Sequence, residues 1–344
     1  MTLALLVVFA ATLVASLLLT PASRQIGIVL GMVDKPRAGE LQRRIVARTG
    51  GYALIAAVVV GLAVSLVIVS RTDEEWWRLA GFAAGLLVVI PVAVADDRFR
   101  LGPWPQMAGQ FAAAVVPLFF GLWIDGVATP DGSILALPVW IGIPFTLIWV
   151  VGMINTLNWI DTSDGLAAGV SLIAALVLLA RTLDQGQLSV AVLPLVLAAA
   201  CLGFLPYNFN PARVIMGTSG SVLLGYALAM IAIFGGAKIA TALMVLGLPI
   251  YDTLMVIIQR LIAGRSPFQG GDDAHLVHRL AHRGWGPKRI ALGAYAVCLV
   301  LGVGGLELSG AHKAYLFGFA VLIALVIAIL LVRTTRQTKR GSAS

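Results

Sequence analysis

GYALIAAVVVGLAVSLVIVS, residues 51–70, carries no charged side chain in twenty positions. At 1.5 Å per residue an α-helix of that length covers about 30 Å, the thickness of a bilayer's hydrocarbon. The same reading repeats along the chain. Apolar runs at 3–20, 51–70, 79–95, 107–124, 138–155, 165–180, 188–205, 220–236, 239–262, 290–306 and 314–332 give eleven expected spans. The 344 residues are 60% hydrophobic and 12% charged, with a mean hydropathy of +0.97, far from soluble domains. The expected fold class is therefore all-α, a polytopic integral membrane protein forming one transmembrane domain over 1–344, with 333–344 a short basic tail. The first run lacks a basic n-region and a small-residue cleavage site before Pro21, so it reads as a retained helix. Cys201 and Cys298 both fall in expected spans and carry neither a disulfide framework nor zinc spacing; they read as packing residues.

The net charge of +8 comes from residues in loops beside the spans and not from a soluble basic stripe, which argues against nucleic acid and for anionic headgroups or phosphate ligands. Of 24 lysines and arginines, nineteen fall on one side of the expected topology, among them Arg24, Arg48, Arg98, Arg100 and Arg213; Arg71, Arg78, Arg181, Lys238 and Lys313 fall on the other. The positive-inside rule makes the first side cytoplasmic, with the N-terminus outside and the C-terminus inside. The chemistry-bearing segments fall on that same side. No internal repeat is evident and the carboxylates sit at one face instead of the midplane, which weighs against a solute transporter.

Four segments carry the candidate chemistry. Asp96 and Asp97 end the third expected span; adjacent helical carboxylates point about 100° apart and serve different partners, a cation for one and a proton or hydroxyl for the other. In GMINTLNWIDTSDGLAAG, residues 152–169, Asn155, Asn158, Asp161 and Asp164 recur every third position, a polar stripe if the helix continues. Such a stripe offers oxygen ligands to Mg²⁺ and donors and acceptors to a sugar or base; helix capping accounts for one of the four. LPYNFNPARVIMGTSGS, 205–221, is a glycine-containing loop opening a helix, suited to phosphate oxygens or to simple capping by Ser219 or Ser221. Finally, His275, His278 and His282 are three and four apart, and Arg279 and Arg283 beside them favour an anion over zinc. Asp252, inside the ninth expected span, lies about 12 Å along the helix from Arg260, and an ionisable group there marks function by default.

Taken in order, VDKPRAGELQRRIVARTGG, the Asp96–Asp97 pair, NTLNWIDTSDGLAAG, GFLPYNFNPARVIMGTSGS, LGLPIYD and HLVHRL resemble the polyprenyl-phosphate N-acetylhexosamine-1-phosphate transferase family, which includes phospho-MurNAc-pentapeptide translocase. The topology is more similar to the N-acetylglucosamine or N-acetylgalactosamine branch. The resemblance implies a bacterial inner-membrane enzyme, using Mg²⁺, that moves a hexosamine 1-phosphate from a UDP-sugar to undecaprenyl phosphate at the cytoplasmic face and releases UMP. It further implies lipid-phosphate and proton handling by Asp96 and Asp97, nucleotide-sugar binding by Asp161 and Asp164 with Asn155 beside them, a metal ligand at Asn158, and pyrophosphate contacts from His275, His278 and Arg279. The expected partners are the lipid, the UDP-sugar, the bilayer, and a homodimer or larger membrane complex. The chain departs from the family pattern where Thr218 stands at the aspartate of MGD, a metal position, where Val277 interrupts His-x-His-His, where Gln106 replaces a basic residue, and where Thr162 replaces a glycine. Those departures raise an alternative, a non-catalytic member acting as a lipid-binding or scaffolding subunit.

Overall fold

The computed structural model describes residues 2–34, 45–129, 133–234, 239–264 and 275–307, together with 266 and 318. Hydrocarbon offers backbone groups no hydrogen-bond partner, so the apolar runs close their hydrogen bonds internally as helices. In chain order these are α1 (Thr2–Val29), α2 (Gly50–Ile68), α3 (Asp73–Phe99), α4 (Pro103–Val115), α5 (Val139–Ile160), α6 (Leu166–Asp184), α7 (Val192–Asn208), α8 (Gly217–Ile233), α9 (Ile239–Val245), α10 (Gly247–Ile262), α11 (Leu276–Ala281) and α12 (Pro287–Glu307). Two small antiparallel ribbons complete the described part, β1 (Val33–Asp34) with β2 (Val46–Ala47) and β3 (Gly126–Ala128) with β4 (Ile134–Ala136). By length and composition α1, α2, α3, α5, α6 and α12 each suffice to cross a membrane, and α7 and α8 are shorter apolar helices. The protein is thus an all-helical, multi-pass membrane protein. Apart from residue 318, the expected span 314–332 and the tail lie outside the described residues.

Two expected spans take a different form. The run 107–124 is a thirteen-residue helix, α4, passing into a 3-10 segment over Val116–Phe120. Pro117 lacks the N–H that would continue the α ladder, and Gly121, at φ 74°, turns the chain out of it. The run 239–262 is broken into α9 and α10, bent by 77°. Pro249 cannot donate to the carbonyl of Val245, and Gly247 sits at the break.

The core is organised around α8, all seventeen of whose residues are buried. Neighbours α2, α3, α5, α6, α7 and α9 surround it. Close packing needs small residues: a Cβ on Gly225 would lie 2.6 Å from the Cα of Ile154 on α5, so that position admits only glycine without separating the helices. Trp149 of α5 donates its indole N–H to the carbonyl of Ala229 on α8 at 3.0 Å, fixing their register. The result places the polar N-terminus of α8 beside the C-terminal ends of α3 and α5.

Candidate active site

The start of α8 is held by a carboxylate from another helix. Asp97, near the end of α3, accepts from the backbone N–H of Thr218 at 2.8 Å (Oδ1) and of Ser219 at 3.0 Å (Oδ2). These are among the donors a helix N-terminus leaves unpaired, and the helix dipole favours an anion there. Gly217 makes the approach feasible: its φ is +69°, and a Cβ would meet Asp97 Oδ1 at 2.6 Å. Asp96, pointing elsewhere as adjacent helical residues must, accepts the Thr218 hydroxyl at 2.6 Å and the Gln106 amide at 2.8 Å. Both carboxylates are buried.

Arg48 completes this cluster. Its Nε donates to Asp97 Oδ1 at 3.1 Å and its Nη2 to Thr218 Oγ1 at 3.1 Å. The segment carrying it is stitched in place: Arg48 N–H to Met32 O, Ile215 N–H to Ala47 O, Gly50 N–H to Ile215 O and Gly51 N–H to Met216 O, all between 2.8 and 3.0 Å. A parallel bridge joins Ala47 to Val214. The Asp97 side chain is fully buried whereas that of Arg48 is 27% exposed, so the guanidinium is the part of the pair a ligand can reach.

What it faces is a cavity of about 290 Å³ lined by Arg48, Asn158, Asp161, Asp164, Thr218 and His278, with Asp34 and Asn208 among the remaining residues. Asn158 accepts the Ser221 hydroxyl at 2.8 Å. Asp161 lies just beyond α5; burial pushes its carboxyl up to about 7, with Asp97 and Asp164 adding to the rise and Arg48 opposing it. Asp164 accepts from the Asn210 amide at 2.8 Å and the Ala212 N–H at 3.0 Å, and so holds the loop between α7 and α8.

Three expected contacts lie elsewhere. Asn155 is turned toward α4, donating to Gln110 at 2.6 Å and to Val151 O at 2.8 Å. His275 is buried, its Nδ1 2.8 Å from Asp252, which also accepts the Leu276 N–H at 2.7 Å. Arg279 reaches Gln259 on α10. Neither these three nor Asp96 and Asp97 line the cavity itself. Asp252 thereby anchors α11, which turns His278 to the cavity and buries Val277 in the hydrophobic core. Thr218, Gln106 and Val277 are each engaged: a hydroxyl bridge, an amide on Asp96, and a packed apolar side chain.

The fit to Mg²⁺ follows from the donor set. Mg²⁺ takes hard oxygens in near-octahedral geometry. Here each oxygen of Asp96 and Asp97 already accepts a protein donor, and the Thr218 hydroxyl both donates and accepts. Among the described residues no group of three or more His, Cys, Asp or Glu side chains converges as a metal site. The arrangement does not fit an ordinary Mg²⁺ centre built on the aspartate pair and residue 218.

A membrane-helix bundle with a polar cavity at one end defines a class, and sequence comparison defines its family. The family model for glycosyl transferase family 4 matches residues 79–236. The chain is 30% identical over 337 residues to the "Probable undecaprenyl-phosphate N-acetylglucosaminyl 1-phosphate transferase" of Bacillus subtilis (strain 168), covering 96% of this chain and 92% of that protein. It is 31% identical over 339 residues to the decaprenyl-phosphate N-acetylglucosaminephosphotransferase of Mycolicibacterium smegmatis, covering 89% and 83%. Against the phospho-N-acetylmuramoyl-pentapeptide-transferase of Moorella thermoacetica it is 35% identical over 237 residues, covering 63% and 72%. The chain belongs to the polyprenyl-phosphate N-acetylhexosamine-1-phosphate transferase family.

Proposed function

We propose that this protein transfers N-acetylglucosamine 1-phosphate from UDP-N-acetylglucosamine to undecaprenyl phosphate at the cytoplasmic face of a bacterial inner membrane, the first step of a lipid-linked glycan. A phosphate oxygen of the lipid attacks the β-phosphorus of the donor. The bond from that phosphorus to the bridging oxygen breaks, UMP leaves with the electron pair, and a polyprenyl diphosphate sugar remains. Such a reaction needs little covalent work from a protein, only positioning and charge stabilisation. The observation that carries the reading is the cavity itself, where Arg48 and His278 face Asn158 and Asp161 at the polar end of a bundle whose relatives carry transferase names.

In this reading Arg48 and His278 receive the pyrophosphate, and Asn158 and Asp161 bind the nucleotide-sugar. Asp164 shapes the adjoining loop. Asp96 and Asp97 act as positioning residues that hold Thr218, Arg48 and the start of α8. Asp161, half ionised near neutral pH, is suited to accept the proton of a lipid phosphate monoanion. The test uses purified protein in detergent with undecaprenyl phosphate and UDP-N-acetylglucosamine labelled in the sugar. Label entering the lipid extract is the expected result; label that stays wholly aqueous, with folded protein, would overturn the reading.

A further inference from the structure

We infer that the Arg48 guanidinium is the resident cation of this cavity and binds the donor's pyrophosphate without a divalent ion. The inference rests on the proposed transferase reading for the identity of the donor, but its core, an arginine-based anion site, stands on geometry alone.

Thr218 and Arg48 are complementary. The hydroxyl at 218 gives its proton to Asp96 and takes one from Arg48, a combination of roles open to a hydroxyl and closed to an ionised carboxylate. With threonine there, Asp96, Asp97 and Arg48 sum to one negative charge; aspartate would make it two and call for a second cation. Arg48 spends two of its five N–H donors on this wall, at Asp97 and Thr218, and its planar fork suits bidentate contact with phosphate oxygens. Backbone hydrogen bonds to the segment before α8 fix its origin, so little ordering is needed when an anion arrives. The guanidinium thus lines the cavity opposite the carboxylates of Asp34, Asp161 and Asp164, already paired to Asp97.

The test is equilibrium binding to the full-length protein in detergent. UDP-N-acetylglucosamine is titrated in EDTA and in Mg²⁺, and inorganic pyrophosphate in EDTA alone. The expected result is a nucleotide-sugar Kd in EDTA within about threefold of that in Mg²⁺, weakened about tenfold or more by Arg48→Ala and less by Arg48→Lys, which keeps the charge. Should Arg48→Ala not fold, Thr218→Val, which removes the acceptor that orients Nη2, gives the second reading, a loss of several-fold. Nucleotide-sugar binding that requires Mg²⁺ would overturn this inference while upholding the transferase reading. Binding of neither probe in EDTA, or binding indifferent to Arg48, also overturns it. Arg48-dependent pyrophosphate binding with no nucleotide-sugar binding would sustain the anion site and sink the transferase reading.

Discussion

Replacing Thr218 by aspartate puts a third carboxylate against Asp96, Asp97 and Arg48. The present hydroxyl lies 2.6 Å from Asp96 and 3.1 Å from Arg48, and its backbone N–H is bonded to Asp97. A carboxylate relaxing to about 4 Å from each would be repelled by Asp96 and by Asp97 and attracted by Arg48, each by about 4 kcal/mol at an effective dielectric of about 20. The net is about 4 kcal/mol of destabilisation in EDTA at pH 8, where the new carboxyl is driven to ionise. Mg²⁺ at about 100 times its Kd would return about 2.7 kcal/mol. At roughly 1.4 °C per kcal/mol for 344 residues, thermal unfolding in detergent should fall by about 5–6 °C in EDTA and recover by about 4 °C with Mg²⁺. The parent protein's unfolding should be nearly indifferent to Mg²⁺. An equal Mg²⁺ response in the parent, or an aspartate variant as stable in EDTA as the parent, would refute the reasoning.

Gly217→Ala should lower unfolding temperature, since φ +69° alone costs about 1–2 kcal/mol for a residue with a Cβ and the added carbon meets Asp97 at 2.6 Å; unchanged stability would contradict the placement of Asp97. Asp252→Asn should cost about 1–3 kcal/mol by stripping a buried acceptor from His275 or the Leu276 N–H, and should weaken nucleotide-sugar binding through the displaced α11; calorimetry and a binding titration on the same sample check both. Nucleotide-sugar affinity should rise roughly twofold to tenfold as pH falls from 8 to 6. The sign follows because a carboxyl raised to about 7 is ionised above that pH and repels the incoming anion, whereas the donor's own pyrophosphate diester keeps its charge. His278, Arg48, Asp34 and Asp164 line the same cavity, so the comparison with Asp161→Asn, which should flatten the profile, isolates the carboxyl.

Much of this arrangement is legible in the sequence because hydrocarbon restricts backbone to helices, so run length alone locates α1, α2, α3, α5 and α6. Of the polar residues singled out in the sequence, Asn158, Asp161, Asp164, Thr218 and His278 share one cavity. Helical spacing fails past Ile160, where α5 ends. Asp164 therefore leaves the stripe and reaches the loop at Asn210, while Asn155, still on α5, is drawn toward Gln110 of α4. The histidine spacing misleads for a similar reason, since His275 precedes α11 and is claimed by Asp252, 23 residues away. Arg48 carries no local signal of its role: its partners lie 49 and 170 residues distant, and the pairing of residues 47–51 with 214–216 brings it beside Thr218. The α9–α10 bend has its physical cause in Gly247 and Pro249, inside an apolar run long enough for one continuous span.

The most direct measurement is UMP release by the purified protein in detergent, with and without undecaprenyl phosphate, in Mg²⁺ and in EDTA. The account predicts release that requires the lipid and persists in EDTA. No lipid-dependent UMP release in either medium, from protein that unfolds cooperatively, would contradict it.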